Sequence, residues 1–284
     1  MKLLITITRE DGQELKIDNT VWKLLSADGL DKPSVSIFSD SRAGGDGDIV
    51  TGQRIGARSI ELKFSCRDAT LNDILRRSVT SFFRPSQSYT VRVDRSGVIR
   101  LANGCRLDSI DVPCENVYVP IQATVSLLCP DGVFESEEAV TAIMRGTEPK
   151  FGYPYVNVAG TGRVYGIRYN ATIANVTNDG DTDAFCQIVL YARAAVTNPW
   201  INVNGTAEAF TFQSTLAEGD TVVIDARTGT VSKNGINGWG AVYPYGNMDD
   251  LKLLIGDNTV QFGASSGASN LDVYVYHNDR FMGA

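Results

Sequence analysis

Strict alternation of apolar and polar residues is the sequence feature that most constrains the fold. Between residues 59 and 66, polar side chains alternate with the apolar residues Ile60, Leu62, Phe64 and Cys66. This period of two places every apolar group on one face of an extended chain, which predicts a β-strand buried on one side. Similar short segments recur along most of the chain, so the sequence predicts a mainly β protein.

A long polar segment precedes this strand. Residues 40–56 hold five glycines, three aspartates and two arginines. Such a segment cannot form a core of its own, and two neighbouring strands need only a two-residue turn to join them. The extra length must therefore serve another purpose, and we interpret residues 37–66 as a long hairpin arm.

The first half of the chain reads as one β-rich domain with a single helix. Asp68 can cap a helix whose apolar residues, Leu71 to Phe82, recur at helical spacing, and Arg84-Pro85 ends it. Strand patterns with Asn-Gly and Ser-Gly turns follow. We predict that this domain spans residues 1–138.

The second half reads as an antiparallel β-sandwich. Residues 139–152 are charged, contain Gly and Pro and show no strand pattern, so a linker is predicted there. From residue 153 to 284, short strands and turn signals alternate at the spacing typical of sandwiches.

Charge and hydropathy exclude some classes of partner. The formal net charge is −7, and no cluster of Lys and Arg is visible, so nucleic acid is not an expected partner. No apolar run approaches the length of about 18 residues that crosses a membrane. The apolar run at the amino terminus is too short for a signal peptide. We expect a soluble protein made in a cytoplasm.

Residues that could carry chemistry are sparse. The five cysteines form no CxxC pair and are expected to be buried, reduced thiols. The single histidine, His277, has no Gly-x-Ser-x-Gly motif to accompany it, which argues against a serine or cysteine hydrolase. The alternating Asp179, Asp181 and Asp183 lack the later residues of a calcium loop. We predict no catalytic residue, no metal and no cofactor.

A glycine-rich loop carries three aromatic residues, Trp239, Tyr243 and Tyr245. Aromatic side chains on sandwich loops can stack on sugar rings. They can also pack beneath their own loop or at a subunit contact, which is the interpretation we favour. Glycan or partner contact at these residues stays open at this point.

The order of parts resembles one known family. A hairpin arm and strand with the sequence GDIVTGQRIGARSIELKFSC precede the helix LNDILRRSVTSFF and the closing strand VPIQATVSLLCPDGVF. A sandwich follows, with an Asn-Pro entry, a Gly-Asp before an apolar strand, and an Asn-Gly turn between Asn198 and Gly235. This order is similar to that of the distal tail proteins of long-tailed (siphovirus-type) bacteriophages and prophages, over nearly the full length.

The resemblance implies a structural hub in the virion, at the tail tip, assembled in the cytoplasm of the host bacterium. It implies a homo-hexameric ring formed by the first domain at the end of the tail tube, and a galectin-like, carbohydrate-module-like sandwich that points outward. Expected partners are the tail tube protein, a tail-associated tip or lysin protein, and receptor-binding or other baseplate proteins. Whether the sandwich also binds a host-surface glycan stays open. The hairpin would contact the neighbouring subunit, with Arg42, Arg54 and Arg58 as contact residues.

Two other functions remain as alternatives. One is a free-standing glycan-binding module, which would use the aromatic loop as its binding site. The other is a cell-wall hydrolase with a carboxylate pair that no motif reveals.

Overall fold

The chain forms two compact units in a computed structural model. The first unit contains Met1–Glu137 and Arg280–Ala284, and the second contains Glu138–Asp279. The chain therefore enters the second unit once and returns to the first for its last residues. The ranges that the structure describes are 3–31, 33–42, 44–67, 72–113, 119–152, 164–206, 208–242 and 246–284.

Strands dominate both units. Those of the first unit before the crossing are β1 (Leu3–Arg9), β2 (Glu14–Ile17), β3 (Trp22–Asp28), β4 (Val35–Ser41), β5 (Asp48–Ile55), β6 (Arg58–Cys66), β7 (Ser88–Arg95), β8 (Val98–Asp111), β9 (Gln122–Cys129) and β10 (Phe134–Ser136). Those of the second unit are β11 (Val140–Pro149), β12 (Gly166–Asn170), β13 (Ile173–Asn178), β14 (Ala184–Ala192), β15 (Val196–Val203), β16 (Phe210–Thr211), β17 (Thr215–Leu216), β18 (Thr221–Asp225), β19 (Thr230–Lys233), β20 (Ile236–Asn237), β21 (Lys252–Leu253), β22 (Gly256–Ser266) and β23 (Leu271–His277). The last strand, β24 (Arg280–Phe281), lies in the first unit.

One antiparallel sheet organises the first unit. Its strands lie in the order β2-β1-β7-β8-β9-β6-β3, and β10 joins it by pairing with β8 and β24. The alternation in β6 is confirmed, because Ile60, Leu62 and Phe64 are fully buried while Glu61 and Lys63 are exposed. The period of two therefore selects the face of this strand that joins the core.

The one α-helix among the described residues, α1 (Asn72–Phe82), packs on this core through Val79 and Phe82. Its last carbonyl, that of Phe82, accepts hydrogen bonds from the hydroxyl of Tyr89 at 3.2 Å and from Nη1 of Arg9 at 3.1 Å. These donors satisfy a terminal carbonyl that has no hydrogen-bond partner within the helix. The predicted cap, Asp68, lies outside the described residues.

The linker predicted over residues 139–152 is wrong for most of its length. Residues 140–149 form β11, which pairs with β23 on one side and β12 on the other. Only Met144 and Gly146 of this strand are buried. Its alternation is therefore too weak to indicate a strand, and the strand is held by pairing with neighbours that are distant in sequence.

The second unit is a sandwich of two antiparallel sheets. One has the order β12-β11-β23-β14-β18-β19-β20, with β21 on β14, and the other has the order β13-β22-β15-β16, with β17 on β15. Side chains of both sheets form a single buried cluster, which includes Ile188 and Val275 from the first sheet and Ile201 and Phe262 from the second. Shared burial of two apolar faces is what holds a sandwich together.

The expectation that all cysteines are reduced is wrong for two of them. Cys105 and Cys129 form a disulfide, with their Cα atoms 4.2 Å apart. They come together because β8 and β9 pair antiparallel, with Arg106 opposite Leu128. Cys66 and Cys186 are buried thiols, and burial raises the pKa of Cys186 to about 12. Cys114 lies outside the described residues.

Within the described ranges, no helix is long and apolar enough to cross a membrane.

Candidate functional site

The hairpin of β4 and β5 in the first unit carries a group of exposed apolar side chains. Five of its large apolar side chains are 51 to 64% exposed: Val35, Ile37, Phe38, Ile49 and Val50. Single exposed apolar residues are common, but a cluster of this kind usually marks a surface that binds another protein. The hairpin is therefore a candidate assembly site.

The hairpin is shorter than the predicted arm of residues 37–66, because Arg58–Cys66 forms β6 of the main sheet. It is also more regular than the sequence suggested. Residues 40–56 were expected to be a polar excursion, whereas Asp40 and Ser41 belong to β4 and residues 48–55 form its paired strand β5. The pairs run from Val35 with Ile55 to Ser41 with Asp48. Among the described residues, β4 and β5 pair only with each other. Unpaired strand edges of this kind are open to pairing with another chain.

The base of the hairpin is fixed to the first unit. The backbone N–H of Gly56 donates to the carbonyl of Ser34 at 2.8 Å, and the hydroxyl of Ser34 donates to the carbonyl of Ala57 at 3.1 Å. Gly132 has a φ of +69°, and a Cβ there would lie 2.1 Å from the carbonyl oxygen of Gly56. Only glycine suits this position, because it combines a positive φ with close contact to the base of the hairpin.

The three predicted contact arginines do not share one environment. Arg42 follows β4 at the tip and Arg54 lies in β5, and both are exposed. Arg58 is the first residue of β6 and is only 3% exposed. The structure therefore leaves two of the three available to a neighbouring subunit, and the prediction that Arg58 is a contact residue of the arm is wrong.

Arg58 instead joins separate segments of its own unit. Its Nε donates to the carbonyl of Gly132 at 3.0 Å, and its Nη1 donates to that of Gly29 at 2.6 Å. Further bonds reach the carbonyls of Asp31 and Met282. The guanidinium also lies 4.6 Å from the ring centroid of Phe134. Burial lowers the pKa of Arg58, and the nearby charge of Asp31 opposes this effect.

The aromatic loop does not present its tryptophan as an open platform. Trp239 lies in a short 3₁₀ turn, Trp239–Ala241, and its Nε1 donates to the carbonyl of Gly229 at 2.9 Å. Its ring meets that of Phe210 edge to face, with centroids 6.4 Å apart, and it packs against the core of the second unit. Tyr243 and Tyr245 lie outside the described residues.

His277 is built into the second unit. It is 2% exposed, and its Nε2 lies 3.2 Å from the carbonyl oxygen of Thr177 and 3.4 Å from Oδ1 of Asp279. Over the part of the chain that the structure describes, no three His, Cys, Asp or Glu side chains are grouped closely enough to hold a metal ion.

Sequence reasoning missed two functional features of the first unit. One is the apolar character of the hairpin, although Ile37, Phe38, Ile49 and Val50 are visible in the sequence at both ends of the polar tip. The other is the role of Arg58, for which no local pattern gives a signal, because its partners lie in three separate segments.

Comparison with known families gives matches in both units. Residues 22–147 match the family described as phage tail protein RIFT-related domain. Residues 179–281 match the siphovirus-type tail component, C-terminal domain. No curated protein matches the chain by sequence.

Solved structures add a likeness in fold. The chain is similar to the Dit (gp 19.1) protein of phage SPP1, with 13% identity and a TM-score of 0.69 over 98% of this chain and 99% of that one. That protein is described as a paradigm of the hub adsorption apparatus in phages that infect Gram-positive bacteria. A chain of the phage P2 baseplate aligns over 98% of both chains with 11% identity and a TM-score of 0.49, too low to support an argument.

Proposed function

The chain belongs to the siphovirus-type distal tail proteins, and we propose that it forms a hexameric ring at the tip of the tail tube. It is a structural component of the phage tail and baseplate. The ring would join the tube to the apparatus that recognises the host. The observation that carries this proposal is the exposed apolar hairpin of β4 and β5.

The hairpin supports a contact between neighbouring subunits. Ordering a long hairpin costs conformational freedom, and this one returns little apolar burial to its own unit. A neighbouring subunit that covers Ile37, Phe38 and Val50 would supply the missing burial, at about 25 cal/mol per Å² of apolar surface. In a closed ring every subunit both gives one hairpin and receives one.

The charged residues of the hairpin would give the contact its specificity. Arg42 and Arg54 are exposed, and Asp40, Asp46 and Asp48 lie in the same hairpin. Charges at the edge of an interface mainly select the correct partner and orientation, while buried apolar groups supply most of the affinity.

The remaining roles follow from this position in the virion. The ring would bind the tail tube protein on one side and a tail-associated tip or lysin protein on the other. The second unit would hold receptor-binding or other baseplate proteins. Assembly would take place in the cytoplasm of the host bacterium.

We also propose that the chain has no enzymatic activity. Membership of a structural tail family supports this proposal over a cell-wall hydrolase or a free-standing glycan-binding module. Incubation with purified cell walls should release no sugar or peptide above a heat-treated control. Release that depends on the native protein would contradict the proposal.

Shortening the hairpin tests the ring directly. Residues 36–54 are replaced by Asn-Gly, so that Val35 and Ile55 remain as the closing pair. The variant should melt like the wild type but fail to form rings, as seen by light scattering and negatively stained images at matched concentrations. Tail tube protein is added to both samples if the wild type needs a template.

Point variants provide the matched control. Ile37→Ser and Val50→Ser remove apolar groups that are each 64% exposed on the hairpin, and both should weaken the ring. Val98→Ser removes a 52% exposed valine elsewhere in the first unit and should leave the ring intact. A shortened hairpin that still closes normal rings would show that the hairpin has another task.

A further inference from the structure

The outer face of the five-stranded sheet in the second unit carries a tryptophan among neutral polar side chains. In β15, Ile201 and Val203 point into the core, so Trp200 and Asn202 point outward. In β22, Phe262 and Val260 point inward, so Gln261 points outward. Asn202 lies directly opposite Gln261, and Trp200 lies opposite Gly263.

Gly263 makes room for the indole ring on this face. A Cβ at Gly263 would lie 2.4 Å from Cζ2 of Trp200, 2.6 Å from Cε2 and 2.9 Å from Nε1. This edge of the indole therefore occupies the space above β22 that a side chain would fill. Any other residue at position 263 would displace the ring, so the glycine fixes Trp200 against the sheet.

The partly buried ring forms one wall of an open cleft of about 360 Å³. The other lining residues are Asn202, Gly205, Ala209, Thr211 and Gln261. None of the six carries a charge. The cleft thus combines one large aromatic surface with amide and hydroxyl groups, a mixture typical of small-ligand sites.

The polar groups of the cleft are arranged to receive a ligand. Nδ2 of Asn202 donates to the carbonyl of Thr206 at 2.7 Å. This bond fixes the side-chain amide and leaves its oxygen as an acceptor for a ligand. The hydroxyl of Thr211 donates to the carbonyl of Ala209 at 3.1 Å, so its lone pairs remain for a ligand. Among the described residues, the exposed amide of Gln261 has no hydrogen-bond partner, so it offers both a donor and an acceptor.

The rim of the cleft is held by hydrogen bonds to a neighbouring strand. Asn204 and Gly205 have positive φ angles of 55° and 67° and form the turn that follows β15. The side chain of Asn204 donates to Oδ1 of Asn258 at 2.7 Å and accepts from the backbone N–H of Thr259 at 2.9 Å. A site held in this way loses little freedom when it binds a ligand.

We propose that this cleft binds a neutral saccharide. The C–H face of a sugar ring packs on an aromatic surface, and its hydroxyls both donate to and accept from amide groups, which Asn202 and Gln261 provide. The absence of charge in the lining fits a neutral ligand better than an acidic one. The site is distinct from Trp239, whose ring packs in its own unit and whose Nε1 already has a partner.

An array of neutral and acidic oligosaccharides, probed with the full-length chain, tests the proposal. The best neutral oligosaccharide is then titrated calorimetrically against wild type, Trp200→Ala, Gln261→Ala and Thr259→Ala. Loss of the ring should weaken binding about threefold to tenfold, and loss of the amide about twofold to tenfold. Thr259→Ala is the matched control, because Thr259 is exposed on the same strand, does not line the cleft, and contacts Asn204 through a backbone N–H that alanine keeps.

Each result of the titrations either supports or contradicts the proposal. Binding that Trp200→Ala and Gln261→Ala weaken and Thr259→Ala preserves supports the proposal. If Trp200→Ala lowers the melting temperature, Gln261→Leu decides, since it keeps the size of the side chain at an exposed position and removes its polar atoms. No neutral binder, or binding that none of the cleft variants changes, would overturn the proposal. Ring formation is not needed for this binding, so the two proposals fail independently.

Discussion

Nη2 of Arg58 donates a hydrogen bond to the backbone carbonyl of Met282, a residue 224 positions further along the chain. The bond joins the start of β6 to the final segment, which returns to the first unit after the sandwich. Arg58 also binds the carbonyls of Gly29 and Gly132. The last five residues therefore belong to the structure that surrounds the base of the hairpin.

Removal of residues 280–284 should destabilise the first unit. The truncation deletes β24, which pairs Phe281 with Phe134, and leaves the buried guanidinium of Arg58 with one acceptor fewer. A charge-assisted hydrogen bond of this kind contributes about 1.5–3 kcal/mol. Thermal unfolding should show a lower melting temperature for the first unit. Met282→Ala is the control, because it keeps the backbone carbonyl, and an unchanged melt of the truncated chain would contradict the expectation.

Substitution of two arginines close in sequence should affect the free energy of unfolding to very different extents. Arg58→Met keeps an aliphatic chain of similar length but leaves several carbonyls without their donor, at a cost of about 3 kcal/mol or more in the free energy of unfolding. Arg54→Met alters an exposed side chain of the hairpin and should change that free energy by no more than about 0.5 kcal/mol. Denaturant unfolding of both variants measures the difference. Equal effects would show that Arg58 does not stabilise the unit.

The Cys105–Cys129 disulfide should stabilise the first unit. It closes a loop between residues 24 positions apart, and a loop of that length corresponds to about 3.5 kcal/mol in the chain-entropy treatment. Non-reducing peptide mapping should recover these two cysteines in one linked pair. Unfolding with and without reductant should differ for the wild type but not for the Cys105→Ala, Cys129→Ala double variant. A linked pair that contains Cys114 would contradict the expectation.

Acid should weaken one turn contact of the sandwich within a defined pH window. The carboxylate of Asp220 accepts hydrogen bonds from Lys233, Asn234 and the backbone of Ala217, and these bonds lower its pKa from 3.8 to about 2. Because the pKa is lower in the folded state, the contribution is present above pH 3.8 and is lost as the pH falls through about 2.

Asp220→Asn should therefore melt below the wild type at neutral pH, and the two melting temperatures should converge toward pH 2. Glu218→Gln, in the same turn, is the control for loss of one negative charge. A gap between wild type and Asp220→Asn that persists unchanged at the lowest pH would show that the ionised carboxylate is not the source of the difference.

Local patterns predict the parts of this fold whose side chains alternate clearly. The alternation in β6 and the spacing of apolar residues in α1 each result from one face packing on a core, so both could be recognised. β11 could not, because only two of its residues are buried and pairing with β12 and β23 determines its conformation. The disulfide and the partners of Arg58 depend on strand register and on contacts between distant segments, which a single sequence does not contain.

The candidate sites show the same division. The unusual length of the hairpin indicated a contact arm. The exposure of its apolar side chains could not be predicted, because it depends on β4 and β5 pairing only with each other among the described residues. For the aromatic residues, the sequence drew attention to Trp239 in its glycine-rich loop. Trp200 was hidden, because the alternation of β15 does not reveal that Gly263 lies opposite.

The return of the chain to its first unit has a mechanical consequence. The segment that enters the sandwich and the segment that leaves it are hydrogen-bonded neighbours, since Val140 pairs with His277. A pulling force on the sandwich is thus divided between two covalent connections. One leads into β11 and the other leaves β23, and these two strands are paired with each other. A sandwich tethered in this way should resist detachment under force better than one attached by a single strand end.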